Sequence, residues 1–157
     1  MKLQVCFLLL ALAPLVSGQG KYTGPRPPKP DLPYLLHASH LVPTEAVEAK
    51  EDNRKDEVLY TVDGASSSAR TPLASPIFIM QSVKISPESL QLFKIESKNG
   101  RREILFKKKS TTEPIRMEVT RLTPDGIYKL EVDNGLKNGE YVLSPEGSNQ
   151  VFCFEIF

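Results

Sequence analysis

Residues 90–107 read LQLFKIESKNGRREILFK. Two runs, 90–97 and 101–107, alternate apolar and polar side chains around Asn99-Gly100. Asn-Gly between such runs is the strongest short-range signal for a two-residue hairpin, because both central residues of a type I′ turn need positive φ. This stretch therefore predicts an antiparallel strand pair, and the segments on either side repeat the grammar. Residues 77–85 are rich in β-branched and apolar side chains and are punctuated by Ser86-Pro87-Glu88. Runs 115–122 and 127–132 flank Thr123-Pro124-Asp125-Gly126, where proline presets φ at the second turn position. Runs 140–143 and 151–157 follow, separated by Pro145-Glu146-Gly147. Met117, Val119, Tyr128, Leu130, Leu143, Phe152, Phe154 and Ile156 are the expected core. Strand alternation puts Phe152, Phe154 and Ile156 on one face, with Cys153 and Glu155 on the other.

Towards the N-terminus, Tyr34 opens a short strand candidate over 34–39. Residues 42–62 admit two readings. Thr44 can cap a short helix through Glu48 and Glu51, or the segment is an exposed hairpin turning near Asp52-Asn53 with Val58, Tyr60 and Val62 alternating on the return strand. The hairpin is the expectation. Residues 64–75 (GASSSARTPLAS) compose a loop. The pattern as a whole predicts an all-β, antiparallel, immunoglobulin-like β-sandwich of about seven or eight strands over 34–157.

What precedes that domain reads as an export signal and a spacer. Lys2 gives a positive start, residues 6–16 (CFLLLALAPLV) form an apolar run, and Val16-Ser17-Gly18 offers a cut. The run is shorter than the roughly 20 residues that span a bilayer, so residues 1–18 read as a signal peptide rather than a transmembrane anchor. Residues 19–33 hold Pro25, Pro27, Pro28, Pro30 and Pro33 among glycine and lysine, a linker composition that favours extended polyproline II. Removing 18 of the 157 residues leaves 139. Lys2 is the one charge removed, so 20 basic residues become 19, against 19 acidic ones. A net charge of zero gives no electrostatic case for nucleic acid. Cys153 is the one cysteine left; it sits in an apolar run, and burial is expected rather than a link between chains.

Motifs that carry chemistry are few. Leu136, Gly139 and Tyr141 stand ahead of a late strand in the spacing of a tyrosine corner, where the phenol bonds back to backbone upstream. Like Asn99 and Gly100, these are structural assignments, and they favour a sandwich over a closed barrel. His37 and His40 are the histidine pair and the metal-ligand candidates, with Glu45 and Glu48 near in sequence. On one strand residues three apart diverge to opposite faces, so no metal or other cofactor is expected. Ser66, Ser67 and Ser68 lack a nucleophile elbow, and Cys153 between two phenylalanines lacks the electropositive setting of a reactive thiol. Arg101 and Arg102 with Lys107, Lys108 and Lys109 form two basic spots about 15–20 Å apart along a strand. They are contact candidates for an acidic partner or lipid headgroups, but the expectation is that they keep an edge strand soluble.

Three stretches carry a family resemblance: Arg70-Thr71-Pro72-Leu73 with Pro76-x-Phe78; Asn99-Gly100-Arg101-Arg102-Glu103-Ile104; and Asn138-Gly139-Glu140-Tyr141-x-Leu143-Ser144-Pro145 running on to Gly147-Ser148-Asn149-Gln150-Val151-Phe152-Cys153-Phe154. Together they resemble a group of uncharacterised secreted β-sandwich proteins of soil-dwelling acidobacteria. The resemblance implies export and the β fold and brings no catalytic residues. The expected function is a secreted, non-catalytic binding or structural module of the cell envelope, with an envelope or extracellular protein as partner. A metal-dependent hydrolase using His37 and His40, or a glycan-binding module, is the alternative.

Overall fold

The computed structural model describes residues 21–157, and among them the chain is almost entirely antiparallel β. The export signal read over 1–18 lies outside the described residues. The strands are β1 Tyr34–His37, β2 His40–Pro43, β3 Glu45–Glu48, β4 Lys50–Asn53, β5 Glu57–Asp63, β6 Arg70–Thr71, β7 Ile77–Gln81, β8 Leu90–Lys98, β9 Arg101–Lys107, β10 Met117–Arg121, β11 Ile127–Val132, β12 Gly139–Pro145 and β13 Gln150–Ile156. One 3-10 turn, Pro87–Ser89, precedes β8. Thirteen strands replace the expected seven or eight. The surplus comes from pieces of two to four residues, such as β2, β3, β4 and β6, which are too short to show a period of their own.

Two sheets form a sandwich. The smaller runs β10-β11-β7-β1-β2, and the larger runs β3-β13-β12-β8-β9-β5-β4 with β6 added parallel to β13. Leu35, Phe78, Met80 and Leu130 of the smaller sheet pack against Leu92, Tyr141, Leu143, Phe152, Phe154 and Ile156 of the larger one. Met117 and Val119 are only half-buried at the edge of this layer. Asn99 and Gly100 join β8 to β9 with φ of 54° and 76°, the doubly left-handed turn in which glycine carries no Cβ penalty.

The larger sheet also closes on itself. β3 and β4 stand at the two ends of its order yet are separated in the chain by Ala49 alone. The Ala49 N–H donates to the Asn149 carbonyl (2.8 Å), and the Arg54 N–H donates to Glu57 (2.9 Å). Successive N–H groups of an extended chain point to opposite edges, so odd residues here bond β13 and even residues bond β5. Residues 45–53 thus act as one staple strand between β13 and β5. A second interior results, holding Ala49, Val62, Phe93, Ile95, Val142, Val151 and Cys153, with Val47, Tyr60, Ile104 and Phe106 against them. The fold is thus the expected sandwich, with one of its two layers closed on itself.

The 42–62 segment forms the hairpin β4–β5, turning over residues 54–57, and Thr44 caps no helix. Its hydroxyl donates to the Pro33 carbonyl at 2.7 Å in a buried site. Within the Pro-rich stretch read as a linker over 19–33, residues 27–33 pack on the domain. Pro27 and Pro33 are buried, and the Asp31 N–H donates to Gln81. Asp31 Oδ1 accepts the N–H groups of Val83, Lys84 and Ile85 at 2.9–3.0 Å.

Candidate functional site

The two ends of the closed sheet differ in chemistry. At one end β9 sends Arg102 inward; at 1% exposure it is the largest fully buried side chain among the described residues. Its guanidinium donates to Glu45 Oε1 (2.8 Å), Ser67 Oγ (2.8 Å) and the Asp63 and Gly64 carbonyls (2.8 and 3.0 Å). Glu140, on β12, lies 4.0 Å away and accepts the Ser67 N–H and hydroxyl. Burial works against the Arg102 charge, but the Glu45 hydrogen bond and the surrounding carboxylates more than offset it. Burial likewise pushes the Glu45 carboxyl up, and the Arg102 and Ser68 hydrogen bonds reverse that, leaving it below the usual carboxylate range. Among the described residues no buried side-chain polar atom lacks a partner. This end is a closed, satisfied plug.

Arg102 is therefore not part of a surface basic spot, and β9 is not an edge strand, since it lies between β8 and β5. Alternation along β9 turns Arg101 outward, where it pairs with Glu103 at 3.0 Å, while Arg102 turns in. Lys107, Lys108 and Lys109 are exposed, and Lys108 Nζ donates to the Arg54 and Lys55 carbonyls at 3.0 Å.

His37 and His40 do not diverge. The turn through Ala38 (φ 52°) makes them directly opposed partners of the β1–β2 hairpin, which places both on one face. His37 Nε2 hydrogen-bonds Thr71 Oγ1 at 2.8 Å, and His40 is exposed. Of the two carboxylates near in sequence, Glu45 is committed to Arg102 and Glu48 is exposed, and no group of three or more metal-ligating side chains converges among the described residues. Tyr141 donates its phenol to the Lys137 carbonyl at 2.7 Å, with Leu136 packed against the inter-sheet core. Gly139 has φ 145°, and a Cβ there would meet Lys94 Cε at 3.0 Å.

Cys153 lies under the plug, fully buried, and burial pushes its thiol up to about 12 despite the charge of Arg102. A thiol held neutral is a poor nucleophile. Ellman's reagent is expected to leave Cys153 unmodified in folded protein prepared as residues 19–157, without Cys6, at pH 8 and to titrate it in urea; equal rates in both would contradict this burial. Because the folded value is raised, the stability it contributes is complete below the unfolded value and is lost as pH climbs from about 9 towards about 12.

The other end is open. β8 pairs with β9 only over Glu96 to Lys98 against Arg101 to Glu103, and beyond that the strands part. The Leu92 carbonyl there accepts the Ile115 N–H instead (2.7 Å). A cleft of about 260 Å³ lies at this end. Tyr60, Phe93, Ile104, Phe106, Val142 and Val151 form its apolar floor, and Glu51, Gln91, Ser144, Ser148 and Asn149 bring polar groups to its rim. Phe106 stands edge-to-face to both Tyr60 (5.7 Å) and Phe93 (5.3 Å), which spans the gap left by the parted strands. The cleft offers apolar contact with a few polar anchors, the usual make-up of a small-ligand site. In the sequence, Glu51, Tyr60, Ile104, Ser144 and residues 145–151 stand out only as strand, turn or resemblance positions, and nothing there marks any of them as a ligand contact.

Searches against family models, curated proteins and solved structures returned no match to this chain.

Proposed function

We propose that this chain is an exported, non-catalytic binding module of the cell envelope, and that it binds through the open end of its closed sheet. The observation that carries the reading is the contrast between the two ends. One is sealed by a hydrogen-bonded ion network, while the other leaves about 260 Å³ of aromatic-floored space beneath a polar rim. A volume of that size suits a fragment-sized group, either a small ligand or the apolar end of a larger one. Export is supported by the sequence of residues 1–18, which has the charge, apolar length and small residues of a secretory signal.

The test is a fragment screen by ligand-observed NMR on the purified chain, repeated on Ala49→Leu and Tyr60→Ala. Ala49 lines the cleft, so a leucine there fills it, and Tyr60→Ala removes part of its floor. Fragments with an apolar body are expected to bind the parent chain and to lose at least about tenfold in affinity in both variants, by the loss of one aromatic contact or of the volume itself. Thermal unfolding of each variant verifies that it is folded. Fragments that bind folded Ala49→Leu as well as the parent, or no fragment binding at all, would remove the cleft from consideration.

A further inference from the structure

The cleft carries charge of one sign. Glu51 is the sole charged residue among the described residues that line it. It follows Glu45, Val47 and Ala49 in the inward alternation of the staple strand, and its register partner across β4–β5 is Tyr60. Burial, and then the charge of Glu51, raise the Tyr60 phenol, which agrees with a carboxylate beside a partly dehydrated ring. The adjacent Lys50 belongs to the opposite face and is occupied by Asp63 at 2.7 Å. Asn53 donates an N–H to Glu51, orienting the carboxylate without neutralising it.

Resting on the proposed binding role of this cleft, we infer that its ligand is an organic monocation, an alkyl- or arylammonium whose apolar body lies against Tyr60, Phe93 and Phe106 while its positive head meets Glu51. Aromatic rings attract a cation to their faces, a carboxylate at the rim adds a counter-charge, and an anionic ligand would face a like charge in Glu51 with no cationic side chain lining the cleft to offset it. Neutral rim groups from Gln91, Ser144, Ser148 and Asn149 can accept the remaining ammonium protons.

Three probes of one chain length separate charge from shape: hexylammonium, 1-hexanol and hexanoate. Each is titrated into the isotope-labelled chain, with dissociation constants read from the aromatic resonances of Tyr60, Phe93 and Phe106. Hexylammonium is expected to bind roughly three- to tenfold more tightly than hexanol, with hexanoate weakest. Glu51→Gln should bring the ammonium to the affinity of the alcohol, and raised salt should narrow the difference in the parent chain. Equal affinity for ammonium and alcohol, or a preference that survives Glu51→Gln, overturns the cation inference and leaves the cleft as a binding site. If none of the three shifts those resonances, the binding role of the cleft falls with it.

Discussion

Arg102→Ala is expected to cost about 3–5 kcal/mol of folding stability at pH 7, because it strips the partner from carboxylates that stay buried. Glu140 is 6% exposed and would keep only the Ser67 donors; Glu45 would keep only the Ser68 N–H. The Asp63 and Gly64 carbonyls lose their donor as well. Arg102→Lys should fall between the two, since an ammonium restores the charge but cannot reach four acceptors with a planar fork. The acid limb gives an independent signature. The folded Glu45 carboxyl lies below its ordinary value of 4.5, so its contribution is present above that value and drains away as pH falls through the lowered one. The gap between parent and Arg102→Ala should therefore be widest at neutral pH and narrow towards pH 3. Urea unfolding at several pH values measures both. A loss under 1 kcal/mol, or a gap that widens in acid, would mean that the plug is not what closes this end.

Much of the fold is legible in the sequence because turn chemistry is local. Asn99-Gly100 and the alternation around it need no tertiary information, and Phe152, Phe154 and Ile156 do share one face of β13 and fill the inter-sheet core. The second interior was within reach of the same reasoning. Residues 141–143 and 151–154 are buried without interruption, and an uninterrupted apolar run means a strand covered on both faces. Read that way, Cys153, Val142 and Val151 demand a partner layer opposite the first. What the sequence cannot display is that the layer is the far side of the same sheet. Closure depends on residues 45–53 using both edges, and that segment is dense in charge and shows no apolar period. The site followed the same division. Arg102 reads as a surface charge because Arg101 stands beside it, and only the strand phase set by the hairpin sends one out and the other in.

Phe154→Ala tests which of the two interiors holds the molecule together. The ring has no exposed surface, stands edge-to-face to Phe78 across the sheets at 5.0 Å, and stacks on Tyr141 of the neighbouring strand at 5.6 Å. Its removal takes contacts from both sheets and from the tyrosine corner at once, and rigid strands on either side limit collapse into the void. A loss of about 3–5 kcal/mol is expected. Phe106→Ala makes the same chemical change in the other interior, but that ring is already half-buried and borders the open cleft, so little new cavity forms. Its cost should be about half as large, on the order of 2 kcal/mol. Urea midpoints at unchanged m-value give both numbers. The ordering carries the meaning: if Phe154 dominates, the sandwich layer supplies the stability, and the closed sheet is left with space to spare at its open end for a ligand. If Phe106→Ala costs as much or more, its ring is a structural keystone between β8 and β9, and the cleft beside it is a packing gap.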